Sequence, residues 1–509
     1  MRAKNTAGEP APARRGPRGL SLTGSLLLFV FTIPVLLLQS GCSANPATGK
    51  QQLNFYSEAQ EIETGRKAAA EVAGQMPALE NPELQAYVSG LGAKLAATSE
   101  RPGLPWTFQV VDDPAVNAFA LPGGFVYVTR GLLGTVTSEA ELAAVMGHEI
   151  GHVTAQHGMN QMSKQQMAMG GLLVGAIVSP EVAQAADLVE TGLSLLFLKY
   201  SRDDERQADD LGLRYLASAR YEASEMPAVY SALEQVSQIE GGGRLPGWLS
   251  THPDPGARRE RSERLIAERR YKPGEIGGEA YLRRLDGLAY GPDPRQGYFD
   301  GQAFYHPEMA FRVEIPAGWQ AVNEARRMIA AHPDGVAQVV LTLAAAKSAD
   351  EAARGFLAQG GVQTIGSRRA RLNGLAAVQA DFSVQGQRAI SGRAAFVEKG
   401  GRVFQLVGLV YSDRAGSVRG GFDTFLGSFA TLKDPKRLNV QVQRLRVVEL
   451  PRAMTFEEFE RANPADADPR LAALINRIDD PARTLPAGTL LKRIEGKKAG
   501  PQAIGIQPR

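Results

Sequence analysis

The five residues His148-Glu149-Ile150-Gly151-His152 limit this chain to folds that hold them on a buried or half-buried helix. On a helix, residues four apart share one face, so both imidazoles can grip a single cation while Glu149 stands beside its water. The flanking residues predict that helix. Ser138-Glu139-Ala140-Glu141 reads as a capping box, in which the Ser138 hydroxyl and the Glu141 carboxylate satisfy each other's unpaired backbone N–H groups. Leu142, Val145, Met146, Ile150 and Val153 then recur at steps of three and four along one stripe. The chemistry implied is zinc-assisted peptide hydrolysis; two ordinary core histidines are the alternative.

Two histidines leave a catalytic zinc one protein ligand short. The segment Ser201 to Asp209 opens another predicted helix, continued by Leu211, Leu213, Tyr215 and Leu216, and sets Glu205 and Asp209 one turn apart. Glu205 is the candidate third ligand. Asp209 would accept the remaining N–H of a ligating histidine, His148, and fix its tautomer. A solvated acidic helix start, favoured by the helix dipole, accounts for the same cluster.

These blocks resemble the gluzincin peptidases, the group that includes the CAAX prenyl proteases, the bacterial heat-shock membrane peptidase and the periplasmic beta-barrel assembly-enhancing proteases. The resemblance runs from residue 43 to 265. It rests on Asn45-Pro46-Ala47-Thr48-Gly49, Val116 through Gly124, the histidine motif, Ser201 through Asp209, and Thr251-His252-Pro253. It implies His148, His152 and Glu205 as ligands of one Zn2+, Glu149 as general base and acid, and Asp209 as support behind the ligands. It also implies that His252, on the proline-fixed loop from Ser250 to Pro255, approaches the zinc as a fourth ligand or as an oxyanion donor. Arg258 lies where relatives carry an arginine, with the register left open by Arg259, where an apolar residue is more usual. His157 points away from the metal face by helical geometry, so a hydrogen-bonded or surface role is expected. His306 and His332 lie outside the matched blocks and are assigned no chemistry.

Phe119, Leu121 and then Phe125 to Val128 flank a Leu-Pro-Gly-Gly break, which predicts a strand pair or a bent edge strand. In the family such a strand borders the cleft, where an extended polypeptide can add through backbone hydrogen bonds; an ordinary core strand is the other reading. Met159, Met162, Met167 and Met169 with the apolar run Gly170 to Val178 predict a helix packed near the cleft. Leu188 to Leu198 predicts a buried helix leading to Glu205.

Arg2, Lys4, Arg14, Arg15 and Arg18 precede an apolar run from Leu26 to Leu38 that is short for a bilayer span, which takes about 20 residues. The pattern is that of a secretory signal. Cys42, the single cysteine, follows Ser40-Gly41 and looks like a bacterial lipoprotein cleavage site, although Gln39 stands where leucine is usual. The expectation is a signal peptide at 1–41 and a lipid on Cys42 that tethers the chain to the outer membrane, facing the periplasm. A net charge of +3 and no long basic face argue against a nucleic-acid partner.

The fold class expected is multidomain: a mainly α-helical zincin (gluzincin) protease domain with a small edge sheet at 42–270, a linker at 271–300, an α+β domain at 301–435 and a small C-terminal module at 440–497. Alternating strands at Phe311–Ile315, Met328–Ala331, Val336–Leu343, Ala376–Val384, Ala389–Val397 and Val403–Tyr411, with helices at Ser348–Gln359 and Ser417–Leu432, predict the antiparallel α+β unit. It is faintly similar to PsbP-like and Mog1-like domains. The tail looks loosely like a LysM module, which would add a peptidoglycan contact. No tetratricopeptide repeat is visible. The function implied is a zinc metalloendopeptidase of the cell envelope that degrades misfolded or stalled periplasmic and outer-membrane proteins. The rival is an envelope chaperone or peptidoglycan-binding lipoprotein with a latent metal site.

Overall fold

A computed structural model describes residues 42–176, 200–239, 248, 251–324, 326–386 and 388–505. The expected signal peptide and the helix at Leu188–Leu198 lie outside the described residues. The first unit begins with a hairpin, β1 (Cys42–Ala44) and β2 (Gln51–Leu53), followed by α1 (Glu58–Gln75) and α2 (Pro82–Ala96). Three strands follow, β3 (Thr107–Val111), β4 (Ala118–Leu121) and β5 (Phe125–Thr129), and then α3 (Arg130–Thr135), α4 (Glu139–Thr154), α5 (His157–Ala176), α6 (Arg202–Ser218), α7 (Glu225–Ile239), α8 (Pro255–Arg269) and α9 (Gly278–Arg284).

Helix α4 carries the histidine motif and is buried on every side; all its residues after Glu139 are inside. The apolar stripe therefore understates its burial, because Ala140, Ala143, Ala144, Gly147 and Gly151 fill the remaining faces with residues small enough for neighbours to close on. The tightest neighbour is α6. A Cβ added to Gly212 would lie 3.0 Å from the backbone nitrogen of His148, and one added to Gly151 would lie 3.0 Å from the carbonyl of Ala208. The two helices thus meet backbone to backbone, and this contact holds Glu205 over the two histidines. Half of the expected capping box is present: Ser138 Oγ accepts the Glu141 N–H at 3.0 Å, while the Glu141 carboxylate accepts the Thr137 N–H at 2.6 Å. The carboxylate is drawn off by Arg477, which pairs with both of its oxygens at 2.8 Å.

The three-stranded sheet has the order β3-β5-β4, parallel between β3 and β5 and antiparallel between β5 and β4. The expected strand pair around Pro122-Gly123-Gly124 is thus present, with β4 at the sheet edge. The turn needs its glycines, because Gly123 and Gly124 take φ of +79° and +103°.

Beyond α9 lies a large antiparallel sheet of eight strands in the order 362–372, 375–384, 390–399, 402–411, 337–344, 328–331, 320–323 and 503–504. Alternation along its strands serves two faces. Val378, Phe382, Phe396 and Val403 pack under the helix Ala349–Leu357, while Ala377, Ala395, Val397 and Phe404 share a core with Val418, Phe422 and Phe425 of the helix Ala415–Ser428. The edge strand Val362–Leu372 was not anticipated, because it is mostly exposed and carries Arg368, Arg369 and Arg371 in place of an apolar alternation.

Two segments depart from a picture of separate units. Residues 271–300, expected to be a linker, include α9, whose Tyr281 and Leu282 belong to the same core as Leu142 and Val145 of α4. The Tyr281 hydroxyl donates to the carbonyl of Leu133 at 2.7 Å. The tail has the order strand, helix, helix, strand at Gln443–Glu449, Phe456–Ala462, Pro469–Ile475 and Leu490–Glu495, and its Leu445, Leu474, Leu490 and Ile494 enter that core too. Lys492 is fully buried there and donates to the carbonyls of Gly134, Thr135 and Val136 at 2.9, 3.2 and 2.9 Å, closing the C-terminus of α3.

Because α4 and α6 touch through glycine, Gly212→Val should cost about 1–3 kcal/mol by overpacking and displace Glu205 from the histidines. Denaturant unfolding and metal content of the purified variant check this; wild-type values for both would exclude it.

Candidate active site

Four donors converge in the space between α4, α6 and the loop before α8. His148, His152, Glu205 and His252 are all buried, and one possible ligand atom from each lies within 4.8 Å of the others. His148 and His152 project from successive turns of α4 with their Nε2 atoms 3.0 Å apart. Glu205 reaches in from the first turn of α6, whose start is held by the capping box of Ser201 and Asp204. Its Oε2 lies 3.6 Å from His148 Nε2, and its Oε1 lies 3.6 Å from His152 Nε2. His252 Nδ1 completes the group, 2.9 Å from Glu205 Oε1 and 3.2 Å from His148 Nε2.

The outer ring fixes these groups. His148 Nδ1 faces Asp209 Oδ1 at 2.9 Å. Arg258 stands behind that pair, with Nε donating to Asp209 Oδ2 at 3.0 Å and Nη2 donating to Asp209 Oδ1 at 2.6 Å and to the Tyr230 hydroxyl at 2.9 Å. Asp209 is ionised and can only accept, so the proton between it and His148 belongs to His148 Nδ1, and the Nε2 lone pair faces the cluster. The guanidinium lies over the rings of Tyr230 and Trp248, at 4.4 and 4.6 Å from their centroids. Trp248 donates from Nε1 to Glu149 Oε1 at 3.1 Å and stacks on His252. Tyr200 stacks on His152, with centroids 4.1 Å apart.

Burial and the Arg258 charge push His148 down to about 4 against the pull of Asp209 and Glu205; burial first, and then the neighbouring imidazoles and Arg258, hold His152 well below its ordinary value. Both imidazoles are neutral and offer lone pairs. Burial raises Glu149 to about 7, while His252 and the Trp248 N–H pull the other way. Burial also opposes ionisation of Glu205, yet His252, His148 and Arg258 outweigh it and hold the carboxyl below its ordinary value. Asp209 is held lower by Arg258 and His148 despite its burial, and His252 is raised because Glu205 and Glu149 outweigh its burial.

This donor set fits zinc. Imidazole nitrogens sharing one tetrahedral ion lie about 3.3 Å apart, close to the separations here. Glu205 Oε2 is buried and accepts no hydrogen bond; Arg258 Nη1, 3.3 Å away, contributes charge alone. Without a cation, a carboxylate oxygen without a hydrogen bond and two imidazoles with nitrogens 3.0 Å apart would be a costly thing to bury.

His148, Glu149, His152, Glu205 and Asp209, singled out by spacing, and His252, implied by the resemblance, all lie in the cluster or against it. Arg258, whose register was open, is the cation behind them. His157 is not at the surface; it is hydrogen-bonded to His152 at 2.9 Å. Cys42 stands in β1, and His306 and His332 lie far along the chain in the sheet-rich unit. Trp248, Tyr230 and Tyr200 were missed. Trp248 left one trace, since it precedes His252 by four residues and the His252 N–H donates to its carbonyl at 2.8 Å, one helical turn.

A histidine pair one turn apart, a glutamate beside the first and a second glutamate from another helix form the donor arrangement that a gluzincin metallopeptidase uses. Residues 81–265 match the model of Peptidase family M48. The chain is similar to the mitochondrial metalloendopeptidase OMA1 of Arabidopsis thaliana, 39% identical over 37% of this chain and 38% of that protein. It is also similar to the putative beta-barrel assembly-enhancing protease of Vibrio cholerae, 35% identical over 35% of this chain and 38% of the relative. The beta-barrel assembly-enhancing protease of Escherichia coli K12 is 30% identical over 42% and 45%. The chain thus spans less than half the length of these relatives.

If Asp209 sets the tautomer of His148, Asp209→Asn should weaken zinc binding about 10–100-fold while leaving the circular dichroism of the protein unchanged. Competition against a chromophoric chelator measures this, and an unchanged affinity would show that His148 needs no carboxylate.

Proposed function

We propose that the protein is a zinc metalloendopeptidase of the bacterial cell envelope that cleaves misfolded or stalled periplasmic and outer-membrane proteins. The observation that carries this reading is the convergence of His148, His152 and Glu205 beside the Glu149 carboxylate. His148 Nε2, His152 Nε2 and a Glu205 oxygen are the ligands, and His252 is a fourth donor. Zinc held there supplies Lewis acidity, polarising a peptide carbonyl and bringing the pKa of a water toward about 7.

The chain's own groups do the rest. Glu149 takes a proton from the attacking water and returns it to the leaving amine, with the Trp248 N–H holding its Oε1 in place. Asp209 and Arg258 keep His148 oriented. The strand β4 lies at the sheet edge and against α4, where an extended polypeptide could add to it through backbone hydrogen bonds, an arrangement that favours unfolded chains over particular sequences. His252 Nε2 stands 3.5 Å from Glu149 Oε1, in the corner that the water needs, so the reading includes withdrawal of His252 before turnover and its return as a donor to the oxyanion.

The envelope assignment rests on the charged and apolar amino terminus, on Ser40-Gly41-Cys42, and on relatives named for beta-barrel assembly. Among the described residues no helix is long and apolar enough to cross a membrane, and a lipid on Cys42 supplies the tether.

Casein hydrolysis and zinc content of the wild type, Glu149→Gln and Glu205→Ala test the reading. Glu149→Gln should keep its zinc and fold and lose at least about 10²-fold in rate, and Glu205→Ala should lose zinc and activity together. A Glu149→Gln protein that still cleaves, or that restores the phenotype of cells lacking the protein, would favour the rival chaperone or wall-binding role.

A further inference from the structure

Asp209 orients His148, but among the described residues no carboxylate faces the outer nitrogen of His152. That place is taken by His157, the first residue of α5, whose Nδ1 lies 2.9 Å from His152 Nδ1. Two imidazole nitrogens at this distance share one proton, and its owner decides whether His152 Nε2 presents a lone pair or an N–H to the cluster. The surrounding amides settle the owner. Asn45, in the turn between β1 and β2, accepts the N–H groups of Ala47 and Thr48 on Oδ1, at 2.9 and 3.3 Å, so its other atom is the NH2 group. That NH2 points at the carbonyl of Ala155 at 3.2 Å, at Gln52 Oε1 at 3.0 Å and at the near atom of Gln207 at 3.5 Å.

A second chain agrees. Gln156 donates from Nε2 to the carboxylate of Glu61 at 2.8 Å, so its Oε1 accepts from Gln52 Nε2 at 3.1 Å. Gln52 must then turn its own oxygen to Asn45. Gln207 has its oxygen toward both neighbours, 3.5 Å from the Asn45 NH2 and 2.9 Å from His157 Nε2, and accepts from His157 Nε2. The Asp204 carboxylate, an acceptor only, lies 3.7 Å from the same nitrogen. The His157 proton is therefore on Nε2, its Nδ1 is an acceptor, and the shared proton belongs to His152 Nδ1.

We infer that His157 is the positioning residue for the zinc ligand His152: locked into one tautomer by Gln207 and Asn45, it accepts the Nδ1–H of His152 and so turns the Nε2 lone pair of that ligand toward the zinc. The inference rests on the zinc site proposed above and gives a role to the Asn45-Pro46-Ala47-Thr48-Gly49 block. It connects the hairpin that begins at Cys42 to the orientation of a metal ligand.

The test is the zinc affinity of the full chain, by chelator competition, with the visible spectrum of its cobalt(II) form. His157→Leu removes the acceptor and should lower zinc affinity about 10–100-fold and alter the cobalt bands. His157→Asn places an amide oxygen where Nδ1 stood and should restore most of the affinity and the wild-type spectrum. Wild-type affinity in His157→Leu, or equal losses in the leucine and asparagine variants, would overturn the inference. A wild-type chain that binds no zinc would overturn both the inference and the peptidase reading beneath it.

Discussion

The site depends on the backbone contact between α4 and α6. Ligands from two helices can meet at one ion only if the helix axes come closer than ordinary side chains permit. Glycine at 147, 151 and 212, with alanine at 208, removes the side chains that would keep them apart. The carbonyl of Ala208 and the nitrogen of His148 become the packing surface. Burial follows from this contact, and burial keeps both imidazoles neutral, raises Glu149 and makes Glu205 depend on cationic neighbours.

The C-terminal residues are part of the same construction. Arg477 engages Glu141 in the first turn of α4, and Lys492 closes α3 from inside the core. Both lie in the tail that looked in sequence like a separate wall-binding module. Its apolar face is spent on the core that also holds α4, in which Leu445, Leu474, Leu490 and Ile494 are buried. Loss of Lys492 or Arg477 would leave the carbonyls at the end of α3 or the Glu141 carboxylate buried without its partner, so the tail is tied to the end of α3 and the start of α4.

Much of the ligand set was legible because helix geometry makes spacing informative. His148 and His152 are four apart, as are Glu205 and Asp209, and each pair lies on one face whatever surrounds it. The six strands anticipated in the sheet-rich unit were also legible, because alternation survives where each strand has a buried face. Groups that work through tertiary proximity left little trace. Trp248, Tyr230 and Tyr200 come from segments with no common period. The arginine-rich edge strand from 362 to 372 buries too little to show one. The stretch 271–300 looked like a linker because its prolines and glycines conceal a short helix whose value lies in Tyr281. His157 was placed correctly off the metal face, but its contact with His152 could be seen only once α5 turned back against α4.

The central claim is that one divalent ion joins residues of α4 and α6. The anomalous difference map of a crystal of the purified full chain, recorded at the zinc absorption edge, addresses it directly. The account predicts one strong peak bonded to His148 Nε2, His152 Nε2 and a Glu205 oxygen, with nitrogen ligands at about 2.0–2.1 Å. A map without a peak there, or with the Glu205 carboxylate turned away from the ion, would contradict it.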